Sequence, residues 1–248
     1  MANGKKTATT AVVEKKDQLP AYMRQGPARG SEGVESNDIS LPRIDVIQDL
    51  SPQHKESKPE YIPGAKPGML FNTLTNELYP EGVSVVPVWY HKEYNVWKDL
   101  KKGGGFLGSY PKDQKEEAEQ KAASEPDLEC VETPVHVVLV INDEGEPLYE
   151  ATIPMPKSKK KVNRQWNSLI MLHGGDRFSR AYRLTSVEDK NQEGQEYLNF
   201  RVALLGFASE AAYLRGEKLY EQLSAGTAKA TTNYNTAADG AVVEGEDY

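Results

Sequence analysis

The run Val135-His136-Val137-Val138-Leu139-Val140-Ile141, followed by the turn Asn142-Asp143-Glu144-Gly145 and the returning stretch Leu148 to Met155, decides the fold class. The first run is nearly all aliphatic and bounded by a polar turn. It reads as a strand buried on both faces, with the second as its hairpin partner. Ser158 then stands where a side chain caps a helix, and Val162, Trp166, Leu169, Ile170 and His173 follow at helical spacing. Gly174-Gly175 ends that helix. Phe178 to Val187 and Tyr197 to Phe207 form a second hairpin across the polar loop Asp189 to Gly194. Upstream, Met69-Leu70-Phe71, Leu78-Tyr79 and the β-branched run Val83 to Tyr90 are strands. Pro87 cannot donate to a ladder, so the last of these lies at a sheet edge or is bulged there. A terminal helix, Ser209 to Leu223, is capped by Ser209 and closed by Gly226.

This order predicts a mainly β protein with two helices. A five-stranded OB barrel carries one helix between its third and fourth strands, and Lys157 to Leu172 fills that slot. An SH3-like barrel or an irregular sandwich shares the pattern but lacks the inserted helix. The expected architecture is an OB-like five-stranded barrel with a C-terminal helix over residues 39–225, with flexible ends. Residues 1–38 hold Gly, Pro, Ala, Lys, Glu and Ser without aliphatic periodicity and are expected to be a flexible arm. Residues 111–129 carry seven acidic against three basic side chains and read as a solvated acidic loop excursion, with a partial helix left open. Residues 226–248 read as a flexible acidic tail.

The chain has 248 residues, with 30 basic and 37 acidic side chains for a formal charge of −7. A uniformly basic nucleic-acid coat is excluded. A basic site offset by acidic segments is not. Cys130 is alone and the four histidines (His54, His91, His136, His173) lack metal-ligand spacing, so no metal and no cofactor are expected. No Gly-x-Ser-x-Gly elbow, His-Glu-x-x-His pair, dinucleotide glycine fingerprint or phosphate loop occurs. His173-Gly174-Gly175-Asp176 has the lettering of a hydrolase loop but follows a helix and lacks a nucleophile elbow. The expectation is a protein that is not an enzyme. The apolar runs are too short to cross a bilayer, and Met1 to Lys6 lack the apolar core of a signal peptide. A reducing cytoplasm and no membrane partner are expected.

Between Lys157 and Arg183 lie eight basic residues, Lys157, Lys159, Lys160, Lys161, Arg164, Arg177, Arg180 and Arg183, against one acid, Asp176. Phe178 and Tyr182 stand among the arginines. Cations that track phosphates, interleaved with rings that stack bases, suit single-stranded nucleic acid. The plainer reading is a solvated lysine-rich helix start followed by a strand whose aromatics are core, and Trp166, on the apolar helix face, reads as core. A second aromatic-basic segment runs from Trp89 to Phe106, with Trp89, Tyr90, Lys92, Tyr94, Trp97 and Lys98 as candidates. If its strand persists, Trp89, His91 and Glu93 face one way and Tyr90, Lys92 and Tyr94 the other, one set core and the other surface. Gly103-Gly104-Gly105 either lets backbone approach a ligand or supplies a mobile loop. The tail offers Asp239, Glu244, Glu246, Asp247 and the terminal Tyr248, a short acidic peptide suited to a partner protein or to the chain's own basic groove. A merely solubilising end is the alternative.

Several segments together resemble proteins of tailed bacteriophages: Leu41-Pro42-Arg43-Ile44 leading to Leu50-Ser51-Pro52, Pro67 to Asn72, Val85 to Trp97, Lys160 to Asn167 with Arg164-Gln165-Trp166-Asn167, and Tyr182 to Phe207. Phage single-stranded DNA-binding proteins are similar in architecture, with an OB barrel, a cationic aromatic groove and an acidic tail ending in an aromatic. The resemblance implies sequence-independent binding of single-stranded DNA in phage replication or recombination, within the host cytoplasm. It also implies recruitment of replication or recombination proteins through the tail. A phage structural or adaptor protein, or an inhibitor of a host enzyme, is the competing expectation.

Overall fold

In the computed structural model, the residues described are 30, 33, 40–99, 102–190, 194–226, 230, 232 and 234. The expected arm at 1–38 lies outside them except for Gly30 and Gly33, and so do Asp239, Glu244, Glu246, Asp247 and Tyr248.

The chain is mainly β. A small sheet is formed by β1 (Ile44–Val46), β2 (Leu70–Asn72) and β3 (Leu78–Tyr79). The large sheet contains β4 (Val83–Lys98), β5 (Phe106–Pro111), β6 (Leu128–Ile141), β7 (Pro147–Pro154), β8 (Arg180–Lys190) and β9 (Glu196–Phe207). Three helices accompany them: α1 (Lys115–Ala123), α2 (Lys160–His173) and α3 (Glu210–Ser224). The large sheet follows the path β7-β6-β4-β8-β9, every neighbour antiparallel, with β5 laid on the far half of β4. Among the described residues no helix is long and apolar enough to cross a membrane.

The central strand β4 explains the two-sided burial read from Val135 to Ile141. Val83, Val85, Val138 and Val140 pack against Val162, Trp166 and Ile170 of α2, which recur every four residues on one helix face. On the other side, Val86, Val88, Val137 and Leu139 pack with Ala212 and Leu219 of α3. Pro87 sits in the middle of the sheet, and the β4–β6 register shifts between Pro87 and Trp89, so the residue without an N–H coincides with a bulge. Ser209 caps α3 by accepting from the Ala212 N–H at 3.1 Å, as its position predicts. Gly174 and Gly175 end α2 with φ of 64° and 79°.

Three expectations are corrected. The sheet does not close into a barrel, because β7 and β9 end its path without pairing. Residues 42–48 contact both ends. Thr152 N–H donates to the Pro42 carbonyl at 2.8 Å, and the Gln48 side-chain amide bonds both the N–H and the C=O of Leu198. The helices number three, since the acidic excursion contains α1, which buries Ala118 against Tyr94 and Val96. Ser158 is no cap. A 3-10 turn over Lys157–Lys159 precedes α2, and the residue before the helix is Lys159 with no side-chain cap.

Within the stretch read as tail, Thr232 and Tyr234 are buried. Thr232 bridges Leu41, and the Tyr234 hydroxyl donates to Glu93 Oε2 at 2.6 Å.

Candidate nucleic-acid interface

Two arginines at the α2–β8 junction make the most unusual electrostatic arrangement among the described residues. Arg177 opens the 3-10 turn Arg177–Ser179 that leads from α2 into β8. Its Nη1 and Nη2 donate to Asn167 Oδ1 at 3.1 and 3.0 Å, and Nη2 also donates to His136 Nδ1 at 2.7 Å. Because Nδ1 accepts, the ring proton is on Nε2, which donates to Asn163 Oδ1 at 2.8 Å. His136 is fully buried, stacked on Trp166 at 4.2 Å between centroids, with the Tyr90 ring edge-on at 5.2 Å. Burial, helped by the Arg177 charge, holds its pKa down to about 3, so the imidazole is neutral.

Among the described residues Arg177 therefore has only neutral partners. Its guanidinium lies 5.4 Å from the Tyr90 ring centroid, and its Nε is buried with no hydrogen-bond partner. Burial draws the pKa down to about 10, which leaves a cation at neutral pH. Arg180 repeats the pattern. One of its nitrogens donates to the His173 carbonyl at the end of α2 (3.2 Å), its guanidinium lies 4.4 Å from the Phe207 ring centroid, and its Nε is buried and unpaired. Tyr182, buried between β4 and α2, connects the two. Burial raises its pKa while Arg180 and Arg177 pull the other way, so both cations act on its hydroxyl. The order Tyr90, Arg177, Tyr182, Arg180, Phe207 alternates rings with cations that no carboxylate neutralises among the described residues. The nearest acid in sequence, Asp176, accepts instead from the Tyr213 hydroxyl at 2.7 Å.

The face of α2 turned toward Arg177 carries Asn163 and Asn167, and helical spacing puts Lys160 and Arg164 on the same face. Arg164 is exposed. Lys160 acts on Glu132, helping to lower its pKa, although burial opposes this and the Lys92 contact contributes more.

A family model described as Pam3 phage gp34-like protein matches residues 10–229. The chain belongs to the Pam3 phage gp34-like family. No curated protein and no solved structure matches it.

In this gp34-like chain most of the other cations named from sequence, though not the exposed Arg164, are tied to carboxylates brought in from elsewhere. Lys92 pairs with Glu132 at 3.0 Å, Lys98 with Glu125 at 3.2 Å, Lys157 with Glu129 at 2.8 Å, Lys159 with Asp45 at 2.6 Å and Lys161 with Asp189 at 3.8 Å. Arg183 bonds Ser84 Oγ and the Glu81 carbonyl, with Asp143 at 4.0 Å. The local excess of positive charge is thus largely local to the sequence and not to the surface.

Most of the named rings pack inside, because rings bury large apolar areas. Phe178 is in the core beneath α3, Tyr94 is buried with Ala118 of α1, and Trp89 packs on Tyr220. Trp97 contacts Phe106 and Tyr234. Gly104 serves packing, since a Cβ there would stand 2.5 Å from Lys98. Phe207 was not singled out in sequence, yet it is 78% exposed. The signal was the pairing of the second hairpin, which sets Phe207 opposite Arg180.

Proposed function

We propose that this phage-family protein binds single-stranded DNA without reading its sequence and without catalysis, acting in phage DNA replication or recombination in the host cytoplasm. The observation that carries the reading is the pair Arg177 and Arg180, each held against a ring and, among the described residues, neither neutralised by a carboxylate. Fixed guanidinium groups of this kind suit phosphate oxygens, and adjacent rings suit unpaired bases. The strand order supports an OB-like relation. The path β7-β6-β4-β8-β9, with α2 between β7 and β8, orders the strands as in a partly open OB barrel, and residues 42–48 lie where closure would occur. Asp239, Glu244, Glu246, Asp247 and Tyr248 belong to the proposal as the segment that recruits replication or recombination proteins.

The test is a fluorescence titration with oligo(dT), oligo(dA) and duplex DNA at two salt concentrations. Preference for single strands and an affinity that falls with salt support the reading. Equal affinity for duplex removes it.

A second reading, a phage structural or adaptor protein, is favoured by one observation: Met171 and Leu172 at the end of α2 are 80% and 79% exposed. Concentration-dependent self-association without DNA binding would support it.

A further inference from the structure

The single-strand reading leaves open what distinguishes an unpaired base from a duplex backbone, and Phe207 answers that question. Its ring is the most exposed aromatic among the described residues, at the end of β9 directly opposite Arg180 of β8. One ring face is covered by the Arg180 guanidinium at 4.4 Å. That guanidinium is itself fixed by its bond to the His173 carbonyl, so the stack has a rigid floor. Exposing a phenyl ring to water forgoes the burial that other Phe and Trp side chains of this chain obtain.

We propose that Phe207, backed by Arg180, is a stacking platform for an unpaired nucleobase, resting on the single-stranded DNA reading above. The cation beneath the ring places positive charge within reach of the phosphate next to a base stacked on it. A base inside a duplex is already stacked on both sides and cannot offer its face, so the platform selects single strands. Electrostatics favours a nucleic-acid occupant over a protein one. Arg180 lies against the ring and, with Arg177, acts on Tyr182, and among the described residues neither arginine has a carboxylate partner.

The experiment compares full-length wild type, Phe207→Ala, Phe207→Leu and Phe207→Trp. Each is titrated with oligo(dT) and with an abasic oligomer of the same length, and sedimentation is run on each protein alone. The leucine keeps apolar bulk but has no π-face, and the exposed position spares the fold. The expected result is that alanine and leucine weaken oligo(dT) binding by about 5- to 150-fold, the usual worth of one stacked base, while tryptophan does not. All four should bind the abasic oligomer alike. If wild type binds oligo(dT) and the alanine variant binds it equally well, the platform is overturned while the function stands. If alanine instead changes only sedimentation, the ring belongs to a protein contact, which also overturns it. If wild type fails to bind oligo(dT), the functional reading itself falls and takes the platform with it.

Discussion

The Arg177 guanidinium lies 5.4 Å from the centre of the Tyr90 ring and shares its nitrogens between Asn167 and His136, with no carboxylate among the described residues in the network. A half-buried cation with neutral partners costs stability, because desolvation is not offset by an opposite charge. Such an arrangement fits a group kept for an anionic ligand.

The first prediction separates the charge of Arg177 from its hydrogen bonds. Arg177→Gln keeps an amide donor beside His136 and removes the positive charge. The His136 pKa should rise above its value of about 3, because the Arg177 charge, one of the influences that lower it beside burial, is gone. NMR titration of the imidazole reads this directly, and an unchanged pKa would mean the charge is not felt there.

The second concerns stability against pH. The unfolded chain has a histidine of ordinary pKa near 6.5, and the folded chain has one at about 3. Between those values the unfolded state binds a proton that the folded state does not. The contribution of neutral His136 is complete above about pH 6.5 and is lost as pH falls toward 3, at up to about 1.4 kcal/mol per pH unit. Denaturant melts of wild type and His136→Gln at about pH 7 and about pH 4 should show the variant starting lower but losing less. Equal losses would count against it.

The third concerns α3. A Cβ on Gly216 would stand 2.9 Å from the Cβ of Phe178. Helix propensity alone makes Gly216→Ala stabilising by about 1 kcal/mol. The close approach reverses the sign, and a net loss of about 1–3 kcal/mol is expected from overpacking. Urea unfolding measures it, and a stabilised variant would show that α3 shifts freely.

How much of this was legible in the sequence follows from which forces are local. The two hairpins, the placement of α2, its glycine end and the irregularity at Pro87 are read from neighbours a few residues apart. The helix α1 was not, because its sequence buries only Ala118 and so carries almost no apolar stripe. The charge balance of the basic cluster was not legible for a related reason. Lys159 and its partner Asp45 are 114 residues apart, and only the folded chain shows that charge is cancelled. Arg177 and Arg180 belong to the cluster by sequence, but nothing local marks them as the pair held against rings without an acid among the described residues. Open closure at β7 and β9 likewise depends on where residues 42–48 settle.

The fourth prediction tests the C-terminal anchor. Tyr234 is buried and its hydroxyl donates to Glu93, which also receives His91 Nε2 at 3.0 Å and Thr232 at 3.4 Å. Burial and the Glu93 charge raise the Tyr234 pKa well above the ordinary value, so the phenol stays a donor throughout the physiological range. Tyr234→Phe removes a charge-assisted bond and should cost about 1.5–3 kcal/mol. Thermal melts paired with limited proteolysis should show lower stability and earlier cleavage after α3. Unchanged cleavage would mean the segment is held by other contacts.

The most direct test of the central claim is the salt dependence of oligo(dT) affinity for wild type and for an Arg177→Gln, Arg180→Gln double variant, with duplex DNA alongside. If the two guanidinium groups each hold a phosphate, wild type prefers oligo(dT) to duplex. The slope of log affinity against log salt should then be shallower in the variant by roughly 1.4, or about 0.7 per phosphate on a single strand. Identical slopes in the two proteins, or equal affinity of wild type for duplex, would contradict the account.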